Sequence, residues 1–204
     1  MRITNATKSA TRQRILEAAK DLLLRDGWNN TTTRGIATAA GIATGTLFNY
    51  FPTKEGIAAA LIADALESSA EEFVQRPQES SLEADLFTLV WSGLRKLRDY
   101  RKFLGGAIDT VFSPLARSSP GSAGDGLRVD HLELVEATIA GHGYPGPRPA
   151  VTVQLYWTLY LGIFAFWAAD DSPGQEDTLA LLDRSLKLFV ASLSMGQEGT
   201  NERR

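Results

Sequence analysis

The sequence predicts an all-α chain, with a three-helix head followed by a larger helical body. Three observations predict it. Apolar residues recur at three- and four-residue spacings through most of the 204 residues, and no alternating strand pattern of useful length appears. Residues 31–54, TTTRGIATAAGIATGTLFNYFPTK, read as two short helices joined at a Gly turn and stopped by Pro52. Residues 150–169, AVTVQLYWTLYLGIFAFWAA, hold no charge, so that helix has to be covered on most of its surface. The expected division is a head with a basic N-terminal arm over 1–53, a body over 54–194 and a flexible tail over 195–204.

The first helix is expected from about Ser9 to Arg25, with Ile15, Ala19, Leu22 and Leu23 on one face and closure at Gly27. Trp28, just after that turn, reads as a plug beneath the three helices. The hydroxyls of Thr31, Thr32 and Thr33 can cap the second helix, which carries Ile36, Ala37 and Ala40 and ends at Gly41. A third helix over Thr44 to Phe51 puts Leu47 and Phe51 on its packed side, flanked by Thr44 and Phe48. Gly45, Thr46, Asn49 and Tyr50 fall on the other side. Eight residues at about 1.5 Å each span roughly 12 Å, close to the width of a B-DNA major groove. Pro52 disfavours helix at Phe51, and Lys54 and Glu55 open the next one.

Charge separates head from body. Residues 1–14 contain Arg2, Lys8, Arg12 and Arg14 and no acidic residue, residues 1–56 carry a net +4, and the whole chain is at −3. A basic end on an acidic body is expected when one end neutralises phosphates. The absence of Cys excludes disulfides, thiolate zinc sites and thiol nucleophiles. The N-terminal stretch MRITNATKSATRQR has no apolar segment of the secretory kind, and a cytoplasmic location is expected. That arm is expected to be disordered in isolation and either to lie along the DNA backbone when bound or to stay a solvated tail.

Residues 10–56 resemble the DNA-binding domain of TetR-type transcriptional repressors. The matching pieces, in order, are Ile15-Leu16-Glu17-Ala18-Ala19, Gly27-Trp28, Thr32-Thr33-Arg34-Gly35-Ile36-Ala37, Ala40-Gly41-Ile42, Gly45-Thr46-Leu47-Phe48, Tyr50-Phe51 and Lys54-Glu55. The resemblance implies that Thr44, Gly45 and Thr46 approach base edges and that Thr33, Asn49, Tyr50 and Lys54 hold phosphates. Arg34 and Asn49 are the side chains in or beside this surface able to make a bidentate base contact. Two positions depart from the family pattern. Ala43 replaces a frequent Ser, leaving Thr44 to cap the reading helix, and Phe48 replaces a frequent Tyr, removing a hydroxyl for phosphate.

In the body, Ile57, Leu61, Ala65 and Phe73 predict a helix leaving the head. Leu86, Phe87, Val90, Trp91, Leu94 and Leu97 mark another over Leu82 to Tyr100, followed by a shorter one with Phe103, Ile108, Val111 and Phe112. Ser113 to Gly126 reads as a flexible loop, Leu127 to Ile139 as helix, and GHGYPGPRP as a second connection. The uncharged helix over 150–169 is long enough for a membrane span, but Thr152, Gln154 and Thr158, the missing basic flank and Asp170-Asp171 favour a soluble helix. Val153, Trp157, Tyr160, Phe164 and Trp167 line one side of it, and Val151, Leu155, Leu159, Gly162 and Phe166 the other. One side can bury in its own subunit, and the other needs a partner. With the last helix, over about Gln175 to Leu193, it would form an isologous four-helix interface of a homodimer.

The expected function is a dimeric, ligand-responsive transcriptional regulator, most simply a repressor, binding a palindromic operator on double-stranded DNA. A small hydrophobic or aromatic effector is expected among Phe87, Trp91, Phe112, Trp157, Tyr160 and Phe164, with close aromatic packing as the competing use of those residues. His131 and His142 are candidate gates, set against a solvated position for His131 and a Gly-rich turn for His142. No cofactor, metal site or membrane partner is expected. An enzyme finds no phosphate loop, metal spacing or nucleophile elbow to support it. The alternative is a hydrophobic-ligand or membrane-associated carrier without specific DNA binding.

Overall fold

The computed structural model describes residues 5–101, 103, 123–144 and 146–201, with side chains described through residue 193 except at 123–125. The described elements are helical: α1 (Asn5–Asn30), α2 (Thr33–Ala39), α3 (Thr44–Tyr50), α4 (Lys54–Gln75), α5 (Leu82–Lys96), a short 3-10 turn (Arg98–Tyr100), α6 (Ala123–Gly141), α7 (Ala150–Ala169), a second 3-10 turn (Pro173–Gln175) and α8 (Glu176–Asn201). Ile108, Val111 and Phe112, and most of the expected loop after them, lie outside the described residues. Ala123 to Gly126, expected in that loop, form the first turn of α6. At the other end α8 runs through Asn201, across residues expected to be a flexible tail.

The chain forms two compact units. The first comprises Met1–Ala65 and Leu97–Asp125, the second Leu66–Lys96 and Gly126–Arg204. The division therefore falls inside α4, further along than the boundary expected at residue 53. The reason is visible in the packing, since Ile57, Ala58, Leu61 and Ile62 are all buried and complete the core of the first unit.

In the first unit, Ile15, Leu16, Ala19 and Leu23 of α1 bury with Ile36, Ala37 and Leu47. α1 begins at Asn5, so the basic stretch expected to be a loose arm is helical from that residue on. Its regular geometry breaks at Gly27, whose φ of 77° lies where L side chains are rarely found. Thr31 then donates its hydroxyl to the Gly27 carbonyl at 2.8 Å, fixing the turn into α2.

In the second unit, α5, α7 and α8 pack on one another. Leu86, Val90 and Leu94 of α5 bury with Tyr160, Phe164 and Trp167 of α7 and Leu182, Leu186 and Phe189 of α8. By length and composition α7 could cross a membrane, but one face of it, from Tyr156 to Trp167, is buried within the unit. Asp170 fixes the α7–α8 connection by accepting from the Ser172 amide at 2.8 Å and from the amide and hydroxyl of Thr178 at 3.0 and 2.5 Å. Those hydrogen bonds hold its carboxyl below the usual carboxylate range.

Candidate nucleic-acid interface

The turn between α2 and α3 is built by backbone hydrogen bonds that a glycine permits. Thr32 caps α2 by accepting from the Gly35 amide at 3.0 Å. At its far end Gly41 takes a φ of 65°. The Gly41 amide donates to Thr38 O at 3.1 Å and the Ile42 amide to Ala37 O at 3.0 Å. This paired closure satisfies two carbonyls at the helix end and turns the chain within four residues. Arg14 of α1 donates to Ala40 O at 3.0 Å and ties the same turn to the first helix.

α3 starts with Ala43 in the capping position, and no side chain caps it. The expectation that Thr44 would cap is corrected, because Thr44 is already the first helical residue and sits half-buried. Leu47 and Phe51 bury as expected. The outward face consists of Gly45, Phe48 and Asn49, all exposed and at helical steps of three and four. Thr46 and Tyr50 are half-buried beside it. Phe48, expected beside the packed face, is 45% exposed. The sequence reading gave Phe48 only a lost phosphate hydroxyl, and its three-residue step from Gly45 was the signal that the ring itself faces outward. A side chain added at Gly45 would meet nothing within 4 Å, so its outward surface is open for close backbone approach.

At the start of α2, Thr33 is half-buried and Arg34 exposed. Lys54 is engaged otherwise. Its ammonium donates to Trp28 O at 2.7 Å and Thr31 O at 3.0 Å and lies 4.2 Å from the centre of the Trp28 ring. It therefore joins the start of α4 to the end of α1 while covering the half-buried indole. Any phosphate contact by Lys54 shares this ammonium with a structural role. Gly45, Phe48 and Asn49 thus give α3 an uncharged outward surface with one exposed aromatic ring. Such a surface suits contact with thymine methyls and with DNA shape more than bidentate base reading.

The residues expected around an effector separate into groups. Phe87 and Trp91 are half-buried on α5, and Phe112 lies outside the described residues. Trp157, Tyr160 and Phe164 are closed on one another, with ring centres 5.3 Å apart for the first pair and 6.4 Å for the second. His131 is half-buried rather than freely solvated. Its Nε2 shares a hydrogen bond with the Tyr156 hydroxyl at 3.0 Å, and its ring centre is 4.3 Å from that of Tyr160. Burial pushes the imidazole down to about 4 and raises both tyrosine hydroxyls above their usual range. A slot walled by Leu132, Val135, Ile139, Val153, Tyr156 and Phe189 has a volume of only about 10 Å³, room for a water but not for an effector.

His142 bonds the buried Asp85 at 2.6 Å, and Asp85 also accepts from the Glu79 amide at 3.1 Å and from the Arg76 guanidinium. Burial alone would raise the Asp85 carboxyl, but these three partners outweigh it and leave it below its ordinary value. His142 thereby joins the end of α6 to the start of α5. Among the described residues no group of three or more His, Asp or Glu side chains could hold a metal ion.

Residues 15–61 match the sequence model of a family described as bacterial regulatory proteins, tetR family. The chain is 35% identical over 92 residues to the uncharacterized HTH-type transcriptional regulator YvkB of Bacillus subtilis (strain 168), a match covering 45% of this chain and 47% of that protein. It spans about half the length of that relative. A TetR transcriptional regulator from Rhodococcus sp. RHA1 has the same fold over 89% of this chain and 97% of its own, with a TM-score of 0.71 and 19% identity. Thermus thermophilus FadR, a TetR-family repressor solved in complex with lauroyl-CoA, has the same fold over 88% of this chain and 93% of its own, with a TM-score of 0.64 and 22% identity. That family match lies across α1 to α4, and the fold shared with TetR regulators extends over nearly the whole chain.

Proposed function

We propose that this chain is a repressor that binds a palindromic DNA operator as a homodimer and responds to a small apolar effector held by its second unit. The outward face of α3 is the observation that carries the reading. Gly45, Phe48 and Asn49 stand exposed on a helix fixed by a tight turn, in the part of the chain with excess positive charge. An aromatic ring exposed without an apolar neighbourhood on its own helix is explained by a partner that presents both methyls and polar edges, as the major groove does. Thr33, Arg34, Thr44, Thr46, Tyr50 and Lys54 complete the proposed contact set, with Lys54 acting chiefly through the turn it secures.

Dimerisation is supported by the opposite face of α7. Val151, Leu155 and Phe166 are exposed there at 75%, 43% and 44%, and Leu188 of α8 at 72%. An apolar stripe of this kind is stable in water when a second copy covers it. Two heads spaced by about one DNA turn of roughly 34 Å would then read two half-sites. The effector is proposed at the His131, Tyr156, Trp157, Tyr160 and Phe164 cluster, where binding would part rings now in contact. The acyl ligand of Thermus thermophilus FadR supports an apolar class of effector. To move the regulator from nearly all bound to nearly all released, that effector must favour the released state by about 5.5 kcal/mol.

The test is an electrophoretic shift on the DNA flanking the protein's own gene, with excess nonspecific competitor. A competitor-resistant shift supports a regulator. A shift that competitor abolishes, together with binding of apolar probes, supports a carrier instead.

A further inference from the structure

Along one face of α1, Asn5, Lys8, Ser9 and Arg12 stand at steps of three and four residues. With Tyr50, the last residue of α3, they line an open basin of about 300 Å³. Its lining holds an ammonium, a guanidinium, two hydroxyls and an amide, and no carboxylate. Lys8 is exposed and has no acidic partner among the described residues. Arg12 meets Asp64 at 3.4 Å with both side chains well exposed, a contact that water and salt weaken. Its guanidinium also lies 5.8 Å from the centre of the Phe51 ring, which keeps it beside the reading helix.

We infer that this basin is a clamp for one DNA backbone phosphate per head, with Lys8 as its principal charge. The inference rests on the DNA-binding reading above and adds a site to it. Tyr50 ends the helix whose outward face is Gly45, Phe48 and Asn49, so the basin opens at the end of that helix. When α3 lies across a major groove about 12 Å wide, that end meets the strand bordering the groove. The Lys8 ammonium then pairs with a phosphate oxygen, the Ser9 and Tyr50 hydroxyls donate to the same group, and Arg12 exchanges its long contact with Asp64 for the phosphate. Because α1 is helical from Asn5, Lys8 and Arg12 are carried on a fixed helix face and are ordered before DNA arrives. Side chains supply the contact, and the amides at the start of α1 are not required.

The test uses the full-length protein and the intergenic duplex flanking its gene, titrated by fluorescence anisotropy over a range of salt, with ethylation interference on the same duplex. In Lys8→Ala the plot of log K against log salt should become shallower by about 2 for a dimer, near one phosphate per head. Affinity in low salt should fall about tenfold, sequence preference and melting temperature should stay unchanged, and one phosphate per half-site should cease to interfere when ethylated. Tyr50→Phe, which keeps the ring and removes the hydroxyl, should weaken interference at that same phosphate. An unchanged salt slope in Lys8→Ala overturns the clamp, and so does a shallower slope with an unchanged ethylation pattern, which would assign Lys8 to the long-range field alone. If the wild-type protein shows no competitor-resistant binding, the DNA-binding reading itself falls, an outcome distinct from any difference between variants.

Discussion

In the first unit, α3 carries a single exposed aromatic, Phe48, above a core of medium side chains such as Ile15, Ile36, Leu47 and Ile57. In the second, α7 buries Trp157, Phe164 and Trp167 on one face and exposes Val151, Leu155 and Phe166 on the other. The contrast separates two kinds of recognition. A lone ring among small polar groups fits a partner whose surface is mostly polar, whereas a continuous apolar stripe fits another apolar surface. Burial within the chain is correspondingly economical in the head, where short helices are closed by backbone turns, and heavy in the body, where stacked rings fill the interior.

Substitutions can break that contrast, and the largest effect is expected in the body. Trp167→Ala removes a fully buried indole and should lower unfolding free energy by about 3–5 kcal/mol in chemical denaturation. Phe48→Ala, in the head, should change stability by less than about 0.5 kcal/mol and still abolish competitor-resistant DNA binding. Lys54→Ala falls between them. Loss of its bonds to Trp28 O and Thr31 O should cost about 1–3 kcal/mol, so weaker DNA binding by this variant reports the turn as well as the phosphate. Leu155→Glu should leave each subunit folded and shift the protein to monomer in light scattering at micromolar concentration.

The smallest expected effect is the pH response of the His131 imidazole. His131 stays neutral in the fold down to about pH 4, whereas an unfolded histidine titrates near 6.5. Its contribution is therefore complete above about pH 6.5 and is lost progressively as pH falls toward 4. His131→Phe should flatten that limb of a plot of Tm against pH. Asp170, held below its ordinary range, contributes a second loss confined to the acid side of about pH 4, which Asp170→Asn should remove.

The head was legible in the sequence because its signals are local. Gly27 and Gly41 sit where positive φ is required, Thr32 precedes the helix it caps, and Pro52 follows the helix it stops. Thr44 and Phe48 were misplaced for a different reason. Whether the first residue of α3 caps it, and how far round that short helix the packed face extends, depends on how α1 and α2 meet it in space. In the body, the helical spacing of Val153, Trp157, Tyr160, Phe164 and Trp167 marked one side of α7, and all of these but the half-buried Val153 are buried. The bonds from His131 to Tyr156 and from His142 to Asp85 join residues 25 and 57 positions apart and left no trace in spacing. The division within α4 was hidden similarly, since one continuous helical pattern serves two cores.

The exposed face of α3 as the DNA-reading surface is tested most directly by comparing wild-type protein with Phe48→Ala/Asn49→Ala on the intergenic duplex, in competitor, at matched folded concentration. The expected result is a competitor-resistant shift for the wild type and none for the variant, with superimposable thermal melts. An undiminished shift from the folded variant would contradict the assignment of that face.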